Sequence, residues 1–368
     1  MIKVAIVGKG TSSIITALQC LKDGFAVDIY YDPETPYLNI GESTTLSVSN
    51  LIHEVLGISA CDLYEQGIAS LKNGVKFIDW GIGNTFYSNF YNKLSFQFNT
   101  EKFNPYIHDL LEQRGVNYIP HKITHYHEDE RTVTIEDKVY DFIIWCSGWN
   151  EDNEYKSPFF RTVDSAILYK EDSVDIDSTY SIHRATEDGW QFGLPFPKDG
   201  ITKCGYLYDS GISNPQVEGK RFSWTPKYSK HLIKNNTTAY NGNRLFFLEP
   251  LQALSLHYYG LFAIFICDYI KNRDYEHYCI INHSYQHEMW NYQMSLAFHY
   301  RYGSIYNSLF WKNIVKSAKL VMNLPSGDIE THEEYINQDL SLGGDSFFSK
   351  IGIFKAEDLK QIHFGMTK

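Results

Sequence analysis

The chain begins with a continuous apolar run and then changes to a helical pattern. Residues 2–7 (IKVAIV) are apolar except for one lysine, which is typical of a buried parallel strand. The spacing of the apolar positions that follow predicts a helix with Thr11 or Ser12 as its N-cap and Gly24 at its end. A second apolar run, 26–31, predicts another strand. Together these elements make one βαβ unit of about 30 residues.

Farther along, strand and helix patterns alternate before the chain becomes mostly helical. Residues 104–115 have the spacing of a short helix, and residues 117–148 predict several strands with a charged hairpin turn and a buried last strand at 142–145. From Leu256 onward the pattern is mostly helical. Two segments are predicted as breaks between helices: NRDYEHY (272–278) and NLPSGD (323–328).

Composition narrows the class of protein. The 368 residues suggest about two domains. The net charge is −11 without a basic block, which argues against nucleic-acid binding. The six cysteines are scattered, which fits reduced thiols, and the N-terminus runs directly into a strand, so we expect a cytoplasmic protein. The apolar run 254–270 contains His257 and Asp268, so it predicts a buried helix and no membrane association. The sequence leaves open whether the chain forms a homo-oligomer.

The loop between the first strand and helix has the composition of a phosphate-binding loop. In GKGTSS (8–13) the glycines let backbone N–H groups approach a pyrophosphate, and the helix N-terminus favours its negative charge. Ser13 stands at the third glycine of G-x-G-x-x-G and is small enough for close packing. Asp32 is the candidate for a ribose contact, or it starts an Asp-Pro turn. The loop residues expected at the cofactor are Gly8, Gly10, Thr11, Ser12 and Ser13.

The segment SLKNGVKFIDWG (70–81) places lysines among residues that favour a dry environment. By itself, Lys72 is an ordinary solvated lysine beside a strand. Lys76 has the same interpretation, on the open face of a strand. The three histidines of HKITHYH (121–127) precede a charged turn, so we expect a solvated strand face and no metal site.

Several runs of the chain resemble the flavin-dependent halogenases of the tryptophan-halogenase-like family. GESTTLS (41–47) resembles the family's Gly-Glu-Ser/Ala-Thr turn that contacts FAD. Four further runs resemble family segments in the same order: SLKNGVKFIDWG (70–81), DGWQFGLPF (188–196), GNRLFFLEPLQALSLH (242–257) and HYRYGSIYNSLFWKN (299–313). The resemblance extends from residue 1 to about residue 315.

The resemblance implies a fold and a domain plan. The expected fold is α/β, the FAD-binding Rossmann-like fold of GR2-type flavin monooxygenases and halogenases, with a mainly helical C-terminal region. Residues 1–255 would form the FAD-binding domain with embedded substrate-side segments, and residues 256–368 the helical region.

Lys72 falls on the lysine that this family requires for catalysis. In such enzymes reduced FAD and oxygen turn halide into hypohalous acid, which travels through a tunnel and meets this lysine. An ammonium can hydrogen-bond and polarise the oxidant, whereas the amine can form a haloamine, and a dry pocket lowers the pKa toward that second use. The resemblance therefore reverses the interpretation of Lys72 as a solvated residue.

The resemblance also assigns residues to FAD and halide. The residues implied at FAD, besides the first loop and Asp32, are Glu42, Ser43, Thr44, Gly242, Asn243 and Leu251. Leu254 and Ser255 occupy the halide position, where backbone N–H groups hold the anion. Three residues depart from the family: Asn243 replaces an aspartate, Gln252 a glutamate and Ala253 a serine. Gln252 cannot act as a base at neutral pH, so we expect Lys72 to act without the carboxylate partner that the family's glutamate provides.

The aromatic residues implied at the substrate are Phe90, Trp190, Phe192, Tyr300 and Trp311. In the family the two residues corresponding to Trp190 and Phe192 are tryptophans that keep the substrate away from the flavin. The family's Tyr-His-Pro-Phe run stands here as residues 87–90 (YSNF), so one ring of its indole sandwich is missing. The connection from 85–90 to the helix at 103–111 is very short for this family. We therefore expect an electron-rich aromatic substrate that is not tightly bound free tryptophan.

These expectations combine into one functional hypothesis and two alternatives. The hypothesis is an FADH2- and O2-dependent halogenase that receives FADH2 from a separate flavin reductase, since a second GxG for NAD(P)H is not visible. The first alternative is a flavin-dependent monooxygenase or oxidoreductase of the same fold. The second is a non-catalytic FAD-binding remnant, favoured by the changes at 243, 252 and 253.

Overall fold

The protein is described by a computed structural model. The residues it describes are 1–35, 41–90, 93–148, 154–174, 178–323, 350–351 and 354–367. They form two compact units, each built from three stretches of chain. The first unit comprises Met1–Ser70, Ser95–Ser157 and Lys227–His287, and the second comprises Leu71–Leu94, Pro158–Pro226 and Glu288–Lys368.

Short strands and eight longer helices make up the described parts of both units. The strands are β1 (Lys3–Val7), β2 (Ala26–Tyr30), β3 (Gly41–Ser43), β4 (Ala69–Lys72), β5 (Gly74–Ile78), β6 (Phe86–Asn89), β7 (Ser95–Asn99), β8 (Asn117–Ile119), β9 (His127–Glu128), β10 (Val133–Ile135), β11 (Lys138–Tyr140), β12 (Phe142–Trp145), β13 (Tyr155–Lys156), β14 (Ser165–Glu171), β15 (Tyr180–Thr186), β16 (Gly189–Phe196), β17 (Ile201–Tyr208), β18 (Lys220–Ser223), β19 (Lys227–Ser229), β20 (Thr238–Tyr240), β21 (Phe246–Phe247), β22 (Lys350–Ile351) and β23 (Phe354–Lys355). The helices are α1 (Thr11–Lys22), α2 (Leu46–Leu56), α3 (Ala60–Glu65), α4 (Thr100–Gln113), α5 (Leu254–Lys271), α6 (Tyr275–Tyr300), α7 (Leu309–Met322) and α8 (Ala356–Thr367). Three 3-10 turns accompany them: Pro197–Asp199, Gly242–Arg244 and Leu251–Ala253.

A five-stranded parallel sheet is the centre of the first unit. Its order is β20-β12-β1-β2-β8, and β1 pairs with β12 on one side and β2 on the other. Four of the five residues of β1 are buried, because both of its neighbours are strands and its apolar side chains are covered on both faces. The predicted βαβ unit and the α/β fold are confirmed.

The predicted N-cap of α1 is wrong. The structure places Gly10 at the N-cap, in an extended conformation and without a side-chain capping bond, so Thr11 and Ser12 lie inside the helix. The helix closes as predicted at Gly24, which has a φ of 79° and whose N–H donates to the Leu21 carbonyl over 3.0 Å. The uncapped start leaves backbone N–H groups at the helix N-terminus.

The remaining predicted elements of the first unit are also found. The helix predicted at 104–115 is α4, which starts earlier because the Asn99 side chain accepts the Glu101 N–H over 3.1 Å. The charged hairpin turn joins β9 to β10, where the Asp129 N–H donates to the Thr132 carbonyl over 2.9 Å. The buried strand predicted at 142–145 is β12.

A mixed seven-stranded sheet is the centre of the second unit. Its order is β18-β14-β17-β16-β15-β5-β6, and its pairs are antiparallel except β5 with β15. Two of the five aromatic residues assigned to substrate, Trp190 and Phe192, lie on β16 of this sheet.

The described C-terminal part is mainly helical, as expected. The break predicted at 272–278 is confirmed for 272–274 only, because α5 ends at Lys271 and α6 already begins at Tyr275. The predicted break NLPSGD lies outside the described residues apart from Asn323. Within the described ranges, one helical segment, Leu251–Lys271, is long and apolar enough to cross a membrane, but 61% of it is buried in the structure, as in the core helix of many globular proteins.

Candidate functional site

The predicted phosphate loop lies at the carboxyl edge of the parallel sheet. The Gly8 N–H donates to the Tyr30 carbonyl over 2.8 Å, which holds the start of the loop beside the end of β2. Nothing lies within 4 Å of the position that a side chain on Gly10 would take, so this part of the loop faces open space. An uncapped helix N-terminus next to open space fits the pyrophosphate of a dinucleotide.

Gly242 brings a second segment against this loop. It has a φ of 62°, and a Cβ there would lie 2.2 Å from Ser12 Oγ. The segment is fixed by Asn241, whose side-chain N–H groups donate to Thr16 Oγ1 (3.0 Å) and to the Tyr259 carbonyl (2.9 Å). The two glycine-containing segments thus form one cradle that only a glycine at 242 permits.

The GESTT segment is attached to the same cradle. Thr11 Oγ1 donates to Glu42 Oε2 and also contacts Asn104 Oδ1 at 3.4 Å. Thr44 is buried, and its hydroxyl bonds the Phe96 carbonyl (2.7 Å) and Ser95 Oγ (2.6 Å), so it holds β3 against β7. Of the residues assigned to FAD in this segment, Glu42 therefore reaches the loop, whereas the Thr44 side chain is engaged in the sheet.

Glu42 is expected to make FAD binding dependent on pH. Burial raises the pKa of its carboxyl to about 7, and the hydrogen bond from Thr11 opposes that rise. The ionised carboxylate would repel the pyrophosphate, so FAD affinity should fall roughly tenfold as the pH rises from 6 to 8. In Glu42→Gln the affinity should stay near its low-pH value throughout. Fluorescence titration of FAD at several pH values measures this, with exposed Glu54→Gln as control; a Glu42→Gln variant with the wild-type pH dependence would contradict it.

Strained backbone marks the turn that leads into α5. Gln252 and Ala253 both have positive φ angles, 57° and 61°, a conformation that costs non-glycine residues of order 1–2 kcal/mol each. Ala253 is the N-cap of α5 and provides no side-chain cap. Leu254 and Ser255, assigned to the halide, form the first turn of this helix, and the Leu254 N–H donates to the Leu251 carbonyl of the preceding 3-10 turn. The 3-10 turn Leu251–Ala253 also packs against β3.

Asn243 and Asp32, which are also assigned to FAD, make polar contacts of their own. Asn243 Oδ1 accepts the Tyr259 hydroxyl over 2.6 Å, so an amide serves at a position where the family has a carboxylate. Asp32 lies just beyond β2 and pairs with Lys122 over 3.0 Å, and this contact lowers the pKa of its carboxyl. The Thr35 N–H donates to the Asp32 carbonyl over 3.2 Å, so the Asp-Pro turn is present as well.

Lys72 lies in the interior, at the end of β4. It is 1% exposed, whereas the preceding Leu71 is only half-buried. Its Nζ lies 5.3 Å from the centroid of the Phe90 ring. Asn73 fixes the turn behind it, since its N–H donates to the Thr179 carbonyl (2.7 Å) and its carbonyl accepts the Phe90 N–H (2.8 Å).

Burial changes the acidity of this lysine. Desolvation lowers the pKa of Lys72 to about 7, because a buried ammonium loses its hydration. Both the ammonium and the amine are therefore populated at neutral pH. The structure places this lysine in a dry environment, as the family resemblance implies for a reactive one.

The aromatic residues assigned to substrate fall into two groups. Trp190, Tyr300 and Trp311 are buried around Trp80, with ring centroids 6.3, 5.5 and 5.3 Å from it. The indole N–H of Trp311 donates to the Thr186 carbonyl over 2.6 Å, which anchors α7 to the end of β15. Phe90 and Phe192 are half-buried.

Two buried histidines were missed by the sequence analysis. His183 on β15 lies 4.8 Å from Trp190 and 5.3 Å from Phe77, measured between ring centroids. His299 on α6 lies 6.0 Å from Phe77. Burial lowers the pKa of both, that of His299 to about 4. Nothing in the local sequence could have indicated His183, because a single histidine in an alternating strand is commonly a surface residue.

Comparisons with known proteins agree with the fold. The family model described as tryptophan halogenase matches residues 3–94 and 91–366. Among solved structures, a tryptophan halogenase from Shewanella frigidimarina superposes with a TM-score of 0.81 at 16% identity, covering 100% of this chain and 90% of the other. A tryptophan 6-halogenase from Streptomyces toxytricini gives 0.82 at 18% identity, covering 100% and 91%. A flavin-dependent halogenase from Brevundimonas gives 0.80 at 16% identity, covering 99% and 89%. No curated protein matches the chain in sequence.

The parallel sheet, the open glycine loop and the uncapped α1 together define a dinucleotide-binding α/β fold. The chain belongs to the tryptophan halogenase family, because that family's model matches nearly its whole length. It is thus an enzyme of the flavin-dependent halogenase class, and FAD is its cofactor. The recognised family, the fold class and the enzyme class predicted from the sequence are confirmed. The individual site residues stay predictions.

Proposed function

We propose that this halogenase transfers halogen from hypohalous acid to a ring carbon of an electron-rich aromatic small molecule, with Lys72 as the residue that meets the acid. When bound, reduced FAD together with O2 supplies the oxidising power that converts halide into hypohalous acid. The observation that carries the proposal is the burial of Lys72, which is 1% exposed with a pKa lowered to about 7. A dry amine of this acidity is suited to contact with an electrophilic oxidant.

The residues of the first unit would hold the reactants of the oxidation. The Gly8–Ser13 loop and α1 would bind the pyrophosphate, and the Gly242 segment would close the cradle. The start of α5, at Leu254 and Ser255, would bind the halide, since the positive end of the helix dipole favours an anion regardless of side chain. FADH2 would come from a separate flavin reductase, and we place the reaction in the cytoplasm.

Lys72 can act in two ways on the acid. As the ammonium it donates a hydrogen bond to the oxygen and so makes the halogen more electrophilic. As the amine it forms an N–halogen bond and releases water. A pKa of about 7 makes both forms available at neutral pH. The missing ring in the 87–90 segment and the short connection from β6 to β7 support a more open aromatic site than free tryptophan needs.

The test combines the purified protein with FADH2, O2 and chloride, bromide or iodide in turn. The substrates are a panel of phenols and indoles and free tryptophan, and mass spectrometry detects halogenated product. We expect halide-dependent products from several phenols or indoles and little from tryptophan. Tight, regioselective chlorination of free tryptophan would overturn the substrate proposal. Hydroxylated product without halide would favour a monooxygenase, and failure to bind FAD at micromolar concentration would favour a non-catalytic remnant.

A further inference from the structure

We propose that His108 is a positioning residue for FAD: it holds the carbonyl of Lys9 so that the next backbone N–H of the phosphate loop faces the pyrophosphate. His108 lies on α4, outside the glycine motif, and the sequence motifs do not include it. The inference rests on the proposed binding of FAD at this loop and deepens it, since it names the residue that sets the conformation of the loop from outside.

The imidazole of His108 forms a bridge between the loop and the sheet of the first unit. Its Nε2 lies 3.1 Å from the Lys9 carbonyl oxygen, and its Nδ1 lies 2.7 Å from the Tyr118 hydroxyl on β8. The side chain is only 4% exposed, so water has little access to the ring. The loop, α4 and β8 therefore meet at one buried side chain.

The chemistry of the two partners assigns the hydrogens of this bridge. A carbonyl only accepts, so Nε2 of His108 carries a hydrogen and donates it to Lys9. Burial is the main reason that the pKa of His108 lies at about 4, so the ring is neutral near pH 7. A neutral ring with its hydrogen on Nε2 has an acceptor at Nδ1, so the Tyr118 hydroxyl donates to it. The two partners thus select one tautomer.

Fixing the Lys9 carbonyl also fixes the amide that follows it. The peptide between Lys9 and Gly10 is planar and trans, so its N–H points opposite to its carbonyl. Because the carbonyl is turned toward α4, the Gly10 N–H points away from α4, where it finds no acceptor among the described residues. The position of a Gly10 side chain is open in the described part of the chain, with no atom within 4 Å of it. This N–H is therefore available to an anion.

The anchor matters because a glycine follows the peptide that it holds. Glycine lacks a Cβ, so the peptide before Gly10 turns over at little cost when nothing holds it. The turned peptide would present a carbonyl oxygen to the pyrophosphate, and two negative groups repel each other. The Gly10 carbonyl itself is held in the first turn of α1, where it accepts the Ser13 and Ile14 N–H groups over 3.1 and 3.2 Å. With His108 in place, the loop is ordered before FAD binds.

The side chain of Lys9 is held by groups outside the loop as well. Its ammonium lies 4.3 Å from the centroid of the Tyr31 ring and 5.3 Å from that of the Tyr118 ring, a favourable placement for a cation. Tyr118 therefore holds Lys9 twice, through its ring and through His108. The backbone N–H of Gly10 is what this part of the loop offers to the cofactor.

The test measures the affinity for FAD and for ADP by titration calorimetry in wild type, His108→Leu and His108→Gln. Leucine has no donor, so we expect about a tenfold loss for both ligands, the effect of one hydrogen bond. ADP contains a pyrophosphate but no flavin, so equal losses place the effect at the loop. Glutamine carries its amide N–H near the position of Nε2 and should restore the affinity to within about threefold of wild type. His53→Leu, at an exposed histidine of α2 in the same unit, should bind both ligands like the wild type.

Three outcomes of the titrations would overturn the proposal: wild-type affinity in His108→Leu, a loss that glutamine does not reduce, or a loss confined to FAD. 15N NMR of the histidine rings adds a test that needs no substitution and no ligand. It should show the hydrogen of His108 on Nε2 at neutral pH, and a hydrogen on Nδ1 would refute the anchor. Wild-type protein that binds neither FAD nor ADP would instead refute the proposed FAD site, and the NMR measurement would still report on His108.

Discussion

Lys72→Met should halogenate its aromatic substrate about 10²–10³-fold more slowly than the wild type, the usual cost of removing one polar group from a preorganised site. Methionine has nearly the length of lysine and fills the same dry volume, but it has no nitrogen to donate a hydrogen bond or to accept a halogen. The glycine cradle, formed by other residues, is untouched, so FAD affinity should not change. Product formation by mass spectrometry and FAD binding by fluorescence, measured on the same preparation, check both parts.

Lys76→Met is the matched control. Lys76 lies four residues away on β5 and is half-buried, so the same chemical change is made close by in the chain without removing the interior lysine. We expect this variant to halogenate at close to the wild-type rate. Wild-type activity in Lys72→Met, or equal losses in both variants, would show that Lys72 is not the catalytic lysine.

The parallel sheet of the first unit could be predicted from the sequence because its signals are local. The run at 2–7, the helical spacing after it and the closing Gly24 each act within a few residues, and each was found. The N-cap of α1, by contrast, was predicted wrongly from the sequence. Thr11 and Ser12 are good capping residues, but the loop bends at Gly10 instead. This choice leaves the helix end open to an anion, as pyrophosphate binding at this loop would require.

The interior of the second unit could not be predicted in the same way. Strand alternation alone cannot say that Leu71 is half-buried while Lys72 is inside, because burial depends on what packs against each face. The family resemblance indicated the importance of Lys72, but its pKa is lowered by burial, and burial depends on distant parts of the chain. The adjacent Asn73, for example, donates its N–H to the carbonyl of Thr179, more than 100 residues away.

The turn before α5 is a third feature that the sequence pattern could not predict. Gln252 and Ala253 adopt left-handed backbone conformations that a sequence pattern would assign to glycine. The strain is tolerated because the surrounding structure fixes both ends of the turn, with Leu251 and Leu254 fully buried. A strained turn at the start of a long helix, where the family places its halide, is consistent with a functional constraint on the backbone.

Lys72 should also make the stability of the folded protein depend on pH in a defined window. The pKa of this lysine is about 7 in the folded state, against 10.5 for an unperturbed lysine. Between these values the unfolded chain binds one more proton than the folded chain, so the free energy of unfolding rises with pH. At pH 7 the buried ammonium costs about 4 kcal/mol relative to an uncharged residue at the same place, and about 2 kcal/mol of that cost is relieved by pH 9.

Lys72→Met removes this cost and should therefore be more stable than the wild type at pH 7, by up to about 4 kcal/mol, although it halogenates far more slowly. The measurement is urea unfolding of both proteins at pH 7, 8 and 9. The difference in the free energy of unfolding between the two proteins should shrink by about 2 kcal/mol from pH 7 to pH 9. Because both proteins share all other titrating groups, the contributions of those groups cancel in this difference. A constant difference for Lys72→Met would mean that Lys72 keeps its ordinary pKa in the fold. Stabilisation together with loss of activity would instead show that the interior charge is retained for chemistry at the expense of stability.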